Sequence, residues 1–156
     1  MKNIYTLSAL ALILLASCGG GATSDEGDEV TEVSESMLVE ETPFDPMENK
    51  GIGPITSLTL AEEIDADMAG AGQVIYEQMC MACHKIEKNF IGPAPKGILE
   101  RRSPEWVMNM ILNPEEMIAK DPIAKALLME YYGAPMANQN LSEEQARQVL
   151  EYFRTL

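Results

Sequence analysis

Two cysteines two residues apart, followed at once by the chain's single histidine, constrain this sequence more than anything else in it: Cys80-Met81-Ala82-Cys83-His84. Two thiols at this spacing can reach both vinyl groups of one haem and form thioether bonds, and the next residue then lies under the iron as a nitrogen ligand. C-x-x-C-H is the pattern of c-type haem attachment. Each rival explanation leaves something over. A zinc site wants four ligands, and the chain has only three Cys and one His. A redox C-x-x-C belongs beside a βαβ pattern, and none is visible. A disulfide between Cys80 and Cys83 would leave His84 without a role.

The third cysteine falls in a different setting. Lys2 and the apolar run Ile4–Ala16 are too short for a spanning helix, which needs roughly 20 residues, and read as a secretory leader. The run ends at Leu15-Ala16-Ser17-Cys18 before three glycines. This resembles the bacterial lipobox, which implies a leader over 1–17, cleavage before Cys18 and acylation of its thiol. The alternative is an ordinary cleavable leader beside a coincidental Cys. On either reading the chain leaves the cytoplasm for the cell envelope, facing the periplasm or exterior.

The net charge is −14, and residues 19–72 hold 14 acidic side chains against Lys50 alone. Low hydrophobicity with like-sign charge favours an unfolded spacer, expected over 18–66, with an acidic docking segment as the alternative. There is no basic stripe to neutralise phosphates, which argues against nucleic acid as a partner.

From residue 67 to 156 the chain resembles the class I mono-haem cytochromes c. Their order is a helix, C-x-x-C-H, a Gly-Pro loop, middle helices, a Met loop and a last helix. The residues follow the same order. Met68, Gly72, Ile75, Tyr76 and Met79 recur at helical steps. Ser103-Pro104, Asn113-Pro114 and Asp121-Pro122 are cap-plus-proline starts, predicting helices over 104–112, 114–119 and 122–132, the last closed by Gly133. Ser142 and Gln145 form a capping box, and Ala146, Val149, Leu150 and Phe153 make one apolar stripe. The expected fold is all-α: four to five short helices around one covalently attached haem c.

The resemblance also implies ligands. His84 is the proximal one, and Pro93 in Gly92-Pro93 accepts its second N–H through its carbonyl. The sixth position falls to a thioether, since no second His exists. Met136, in the loop Gly133-Ala134-Pro135-Met136 before the last helix, stands where the family places that ligand; Met117 is second and an open iron third. Arg101 and Arg102 match a stretch that often meets a haem propionate, or else form a solvated pair. Trp106 packs with Val107, Met110 and Ile111 around the haem, or also donates its indole N–H to a propionate.

The implied function is electron transfer by a monomeric, lipid-anchored carrier with no enzymatic activity, exchanging single electrons with redox partner proteins. Those partners are a respiratory donor and a terminal reductase or oxidase. Lys85, Lys88 and Lys96 can ring the haem edge and meet carboxylates on a partner. The runs Trp106-Val107-Met108-Asn109-Met110 and Asn113-Pro114-Glu115-Glu116 are similar in character to lipoprotein cytochromes of nitrous oxide respiration. A haem sensor, or a gas-binding or peroxide-reducing module with an open iron face, is the alternative.

Overall fold

The computed structural model describes residues 45–156, so Cys18, the leader and the first part of the acidic stretch lie outside the described residues. Five α-helices follow one another: α1 (Ala66–Met79), α2 (Pro104–Leu112), α3 (Pro114–Lys120), α4 (Pro122–Glu130) and α5 (Glu143–Phe153). A single 3-10 turn, Ile98–Glu100, precedes α2, and no strand occurs among the described residues.

Local chemistry explains the helix ends. The Ser103 hydroxyl accepts from Trp106 N–H at 3.1 Å, and the Asp121 carboxylate accepts from Ala124 N–H at 2.8 Å. Each satisfies a donor left free in a first turn whose opening proline lacks one. Both halves of the Ser142–Gln145 capping box are present. Asn113 departs from expectation. Its side chain does not cap α3 but donates to Ile52 O at 3.2 Å and to Glu116 at 2.9 Å. Helix α4 stops at Glu130 rather than 132. Gly133 N–H then returns to Leu128 O at 2.8 Å, closing the helix and launching the Met136 loop.

Helices α1 and α5 cross in close contact, and the sequence permits it at one point. A Cβ built on Gly72 would lie 1.9 Å from Gln148 O, so only a residue without one fits. Beside the crossing, the Tyr76 ring packs on Tyr152 and Phe153 with centroids 5.5 Å and 5.8 Å apart. The apolar stripe of α5 is buried at Ala146, Val149 and Leu150, with Phe153 half-buried beside them.

Glu151 is buried on the same helix. Its carboxylate accepts from Asp65 N–H at 2.9 Å and pairs with Arg147 and Arg154. Burial pushes its pKa up, but the Asp65 amide and the two guanidiniums outweigh that and hold it below the usual carboxylate value. A depressed carboxyl contributes stability above its unfolded pKa, about 4.3, and loses it as pH falls through the folded value. Glu151→Gln should therefore lower stability near neutral pH by on the order of 2 kcal/mol. The gap to the parent should close in melts run near pH 3; an equal gap at both pH values would contradict this origin.

The spacer expected over 18–66 does not reach the first helix. Ile52, Ile55, Leu58 and Leu60 pack against the core, and the backbone between them is captured by side chains of the helices. Asn109 does most of this: its amide donates to Lys50 O and Ile55 O, at 2.9 Å and 2.8 Å, and its carbonyl accepts from Ile55 N–H at 3.0 Å. Ser103 donates to Asn49 O at 2.6 Å, Asn49 donates to Asp121 at 2.6 Å, and buried Glu105 accepts from Leu58 N–H at 3.1 Å. Residues 49–60 are thus a strap along α2. Asn109→Ala would strand those backbone groups at about 1–3 kcal/mol for a buried unsatisfied group. Limited proteolysis should then cut near residue 55 much faster than in the parent.

Candidate functional site: a haem cavity built on the attachment turn

The C-terminus of α1 runs directly into the attachment motif. Cys80 and Met81 N–H groups bond back to Tyr76 O, and Cys83 and His84 N–H groups to Cys80 O. One tight turn therefore carries both thiols and the imidazole. Cys80 is half-buried and Cys83 exposed, and no disulfide joins them.

The imidazole is fixed from several sides. His84 Nδ1 lies 2.8 Å from Pro93 O; as a donor to that carbonyl it leaves Nε2 free to bind a metal. Pro93 thus stands where the sequence predicts it. Tyr76 was expected only as part of a helix face, yet its hydroxyl donates to His84 O at 2.6 Å. Burial, and to a lesser degree Cys80 and Tyr152, push that phenol up to about 12, so it stays a donor. A Cβ at Gly92 would come within 2.4 Å of His84 Cε1, so the ring lies flush against a backbone that no other residue could provide. Its place directly before Pro93 is the sequence signal.

In front of this turn opens a cavity of about 530 Å³. Cys80, Cys83, His84, Pro93, Arg101, Arg102, Trp106 and Met136 all line it, as do Val107, Met110 and Ile111. The sequence therefore names a set of residues that the fold brings to one place.

Three roles shift. Met117, the second candidate for the sixth ligand, does not line the cavity; it is fully buried, and its Sδ accepts from Ile52 N–H at 2.9 Å. It belongs to the strap contact. The Trp106 indole N–H is already taken, donating to Asp121 at 3.0 Å, so it is not free for a propionate. The arginines divide the work. Arg101 is exposed and donates to Ala94 O and Lys96 O, bracing the loop after Pro93. Arg102 lies over the Trp106 ring, 5.5 Å from its centroid, and its Nε is buried with no partner. Burial and Arg101 lower the pKa of its guanidinium, while Asp121 and Glu130 oppose that shift.

The cavity fits a covalently held haem by its own chemistry: paired thiols, an oriented imidazole with a free nitrogen, an apolar wall and an orphaned guanidinium N–H for a carboxylate. No cluster of three or more His, Cys, Asp or Glu able to hold a bare metal ion exists among the described residues.

Comparison with known proteins gives the same class. The cytochrome c family model matches residues 69–156, and the chain belongs to that family as a mono-haem class I cytochrome c carrying covalently bound haem c. A cytochrome c from Rhodothermus marinus is similar at 45% identity and a TM-score of 0.64, over 66% of this chain and 88% of that one. An engineered cytochrome c from the same organism is similar at 44% identity and the same TM-score, over 66% and 89%. A cytochrome c domain from Pseudomonas putida matches at 27% identity and a TM-score of 0.50, over 54% and 85%. Among curated proteins no sequence matches the chain.

Proposed function

We propose that this cytochrome c is a lipid-anchored carrier of single electrons and not an enzyme. It is held at the outer side of a bacterial membrane through Cys18 and works between a respiratory donor and a terminal reductase or oxidase, with nitrous oxide reductase among the acceptors. The lipobox-like Leu15-Ala16-Ser17-Cys18 supports anchoring through lipid; among the described residues no helix is long and apolar enough to cross a membrane. When bound, haem supplies a reversible one-electron iron couple. The chain's residues tune and shield it.

The observation that carries this reading is that Met136 and His84 line one cavity while Met117 is committed elsewhere. A thioether at the sixth position favours ferrous iron and raises the potential relative to a second nitrogen ligand. The Pro93 carbonyl keeps the His84 ring in one tautomer and one orientation. Arg102, which lines the cavity and has a buried Nε–H without a partner, would hold a haem carboxylate and so satisfy a donor that is otherwise costly. Trp106, Val107 and Ile111 give the cavity an apolar wall that would keep water from the bound group. With His84 and Met136 both holding the iron, no position would be left on it for a substrate.

The optical spectrum tests this. The oxidised protein should show the weak band at the red end that accompanies thioether ligation, and the reduced protein should not take up carbon monoxide. Ready carbon monoxide binding would instead mark a sensor or a peroxide-reducing module.

A further inference from the structure

We infer that the buried carboxylate of Asp121, held in place by Asn49 of the strap, lowers the reduction potential of the bound haem from behind the cavity wall. This requires only the bound haem and holds whatever partners the carrier reading assigns.

Three carboxylates are buried among the described residues: Glu105, Asp121 and Glu151. Glu151 has Arg147 and Arg154 beside it, and Glu105 has Lys50 Nζ at 3.4 Å. Asp121, only 2% exposed, forms no ion pair among the described residues. Its oxygens meet neutral donors instead. Oδ1 accepts from the Trp106 indole at 3.0 Å and from Ala124 N–H at 2.8 Å, and Oδ2 accepts from the Asn49 amide at 2.6 Å. Three donors suit an ionised carboxylate, which only accepts. The strap completes the set. Asn49 Oδ1 accepts from Gly51 N–H at 2.8 Å, which turns its NH2 group to Asp121, and its backbone carbonyl accepts from the Ser103 hydroxyl at 2.6 Å.

Capping α4 does not account for the charge. Asn caps about as well as Asp, and Ser103 caps α2 with no charge at all. A buried anion without a counter-ion is costly, so positive charge belongs nearby. The cavity side supplies it twice. Arg102 lies over the same Trp106 ring that Asp121 holds, 5.5 Å from its centroid. Burial lowers the pKa of that guanidinium, and the Asp121 charge opposes the shift. The second source is the iron. Asp121 does not itself line the cavity, but Trp106, Arg102 and Ala124 do. Each oxidation adds one positive charge to the group held there. Across a water-poor interior a buried anion feels that charge strongly, so it favours the ferric form and lowers the potential. Asp121 thus works against the rise that the Met136 thioether brings.

Spectroelectrochemical titration of the full-length holoprotein tests this. Asp121→Asn should raise the ratio of reduced to oxidised protein at a fixed potential about tenfold, an upward shift of about 59 mV for one electron. The shift should persist from about 0.01 M to about 1 M salt, because a buried charge is screened little. Asp121→Asn alone brings two NH2 groups face to face, so two double variants keep the hydrogen bond. Asn49→Ser with Asp121→Asn leaves the pair neutral and should show the same raised midpoint. Asn49→Asp with Asp121→Asn returns the anion to the other end of that bond and should bring the midpoint most of the way back. Met117→Leu, which costs stability without changing charge, should leave it unmoved. Equal midpoints in the two double variants, with both folded by thermal melts, would overturn the inference, as would a rise in Met117→Leu as large as that in Asp121→Asn. Carbon monoxide uptake by the parent would count against the carrier reading and leave this comparison intact.

Discussion

Met136→His should lower the midpoint potential by on the order of 0.1 V or more, within the span of about 0.8 V over which axial ligands set haem potentials. The weak red band of the oxidised form should vanish with it. The reason lies in the donor atom. A soft thioether favours ferrous iron, whereas imidazole is more basic and favours ferric. The Met136 loop can accept the change, because the residue is only half-buried and Gly133 to Ala137 are bonded to the fold mainly through the turn at Leu128. Two controls separate ligation from packing. Met110 also lines the cavity, but from the middle of α2, so Met110→Leu should leave potential and band nearly unchanged. Met117→Leu should cost stability through the lost Ile52 contact and leave the spectrum alone. A potential that follows Met110 and not Met136 would move the ligand to α2.

Gly72→Val should be the most damaging single change outside the haem ligands. A Cβ there would overlap Gln148 O at 1.9 Å and approach Val149 N at 2.9 Å. Both are backbone atoms of α5, which cannot turn aside as a side chain tip can. The helices must separate, and the Tyr76, Tyr152 and Phe153 cluster beside them must loosen. Overpacking of this kind costs about 1–3 kcal/mol and occasionally more; with two backbone atoms in the way, the upper end is expected. Because Tyr76 also holds His84 O, the loss should reach the haem. Denaturant midpoints of Gly72→Ala and Gly72→Val, with the haem attached, check the ordering: the parent highest, Ala lower, Val lowest. A Val variant as stable as the parent would mean the two helices do not meet here. Gly70→Ala is the matching control, since a Cβ at Gly70 meets nothing within 4 Å.

What the sequence reveals, and what it hides, follows from the range of the interactions involved. The starts of α2, α3 and α4 are legible because a proline one residue after Ser103, Asn113 or Asp121 acts locally, through its fixed φ and missing donor. The capping box at Ser142 and the stripe on α5 are equally local. Cys80, Cys83, His84 and Pro93 are legible because one short loop holds them all. The strap is not. Residues 49–60 read as a spacer for their Gly, Pro, Ser and Thr, although they hold no acidic residue and four aliphatic ones. Their order comes from Ile52, Ile55, Leu58 and Leu60 in the core and from Asn109 and Glu105, some 50 positions away, whose side chains bond to backbone groups of the strap. Backbone capture of this kind has no period and no composition. The same holds for the Trp106 indole, which found Asp121 rather than a haem carboxylate, and for Met117, whose sulfur serves an amide of the strap. Chemistry-bearing residue types are read readily from a sequence; which of several partners each one takes is decided by the fold.

Voltammetry of the intact, full-length protein adsorbed on an electrode tests the carrier assignment most directly. A single reversible one-electron wave that keeps its shape and position when hydrogen peroxide or carbon monoxide is added is the expected result. A catalytic current with peroxide, or a wave displaced by carbon monoxide, would show an iron open to small molecules and contradict it.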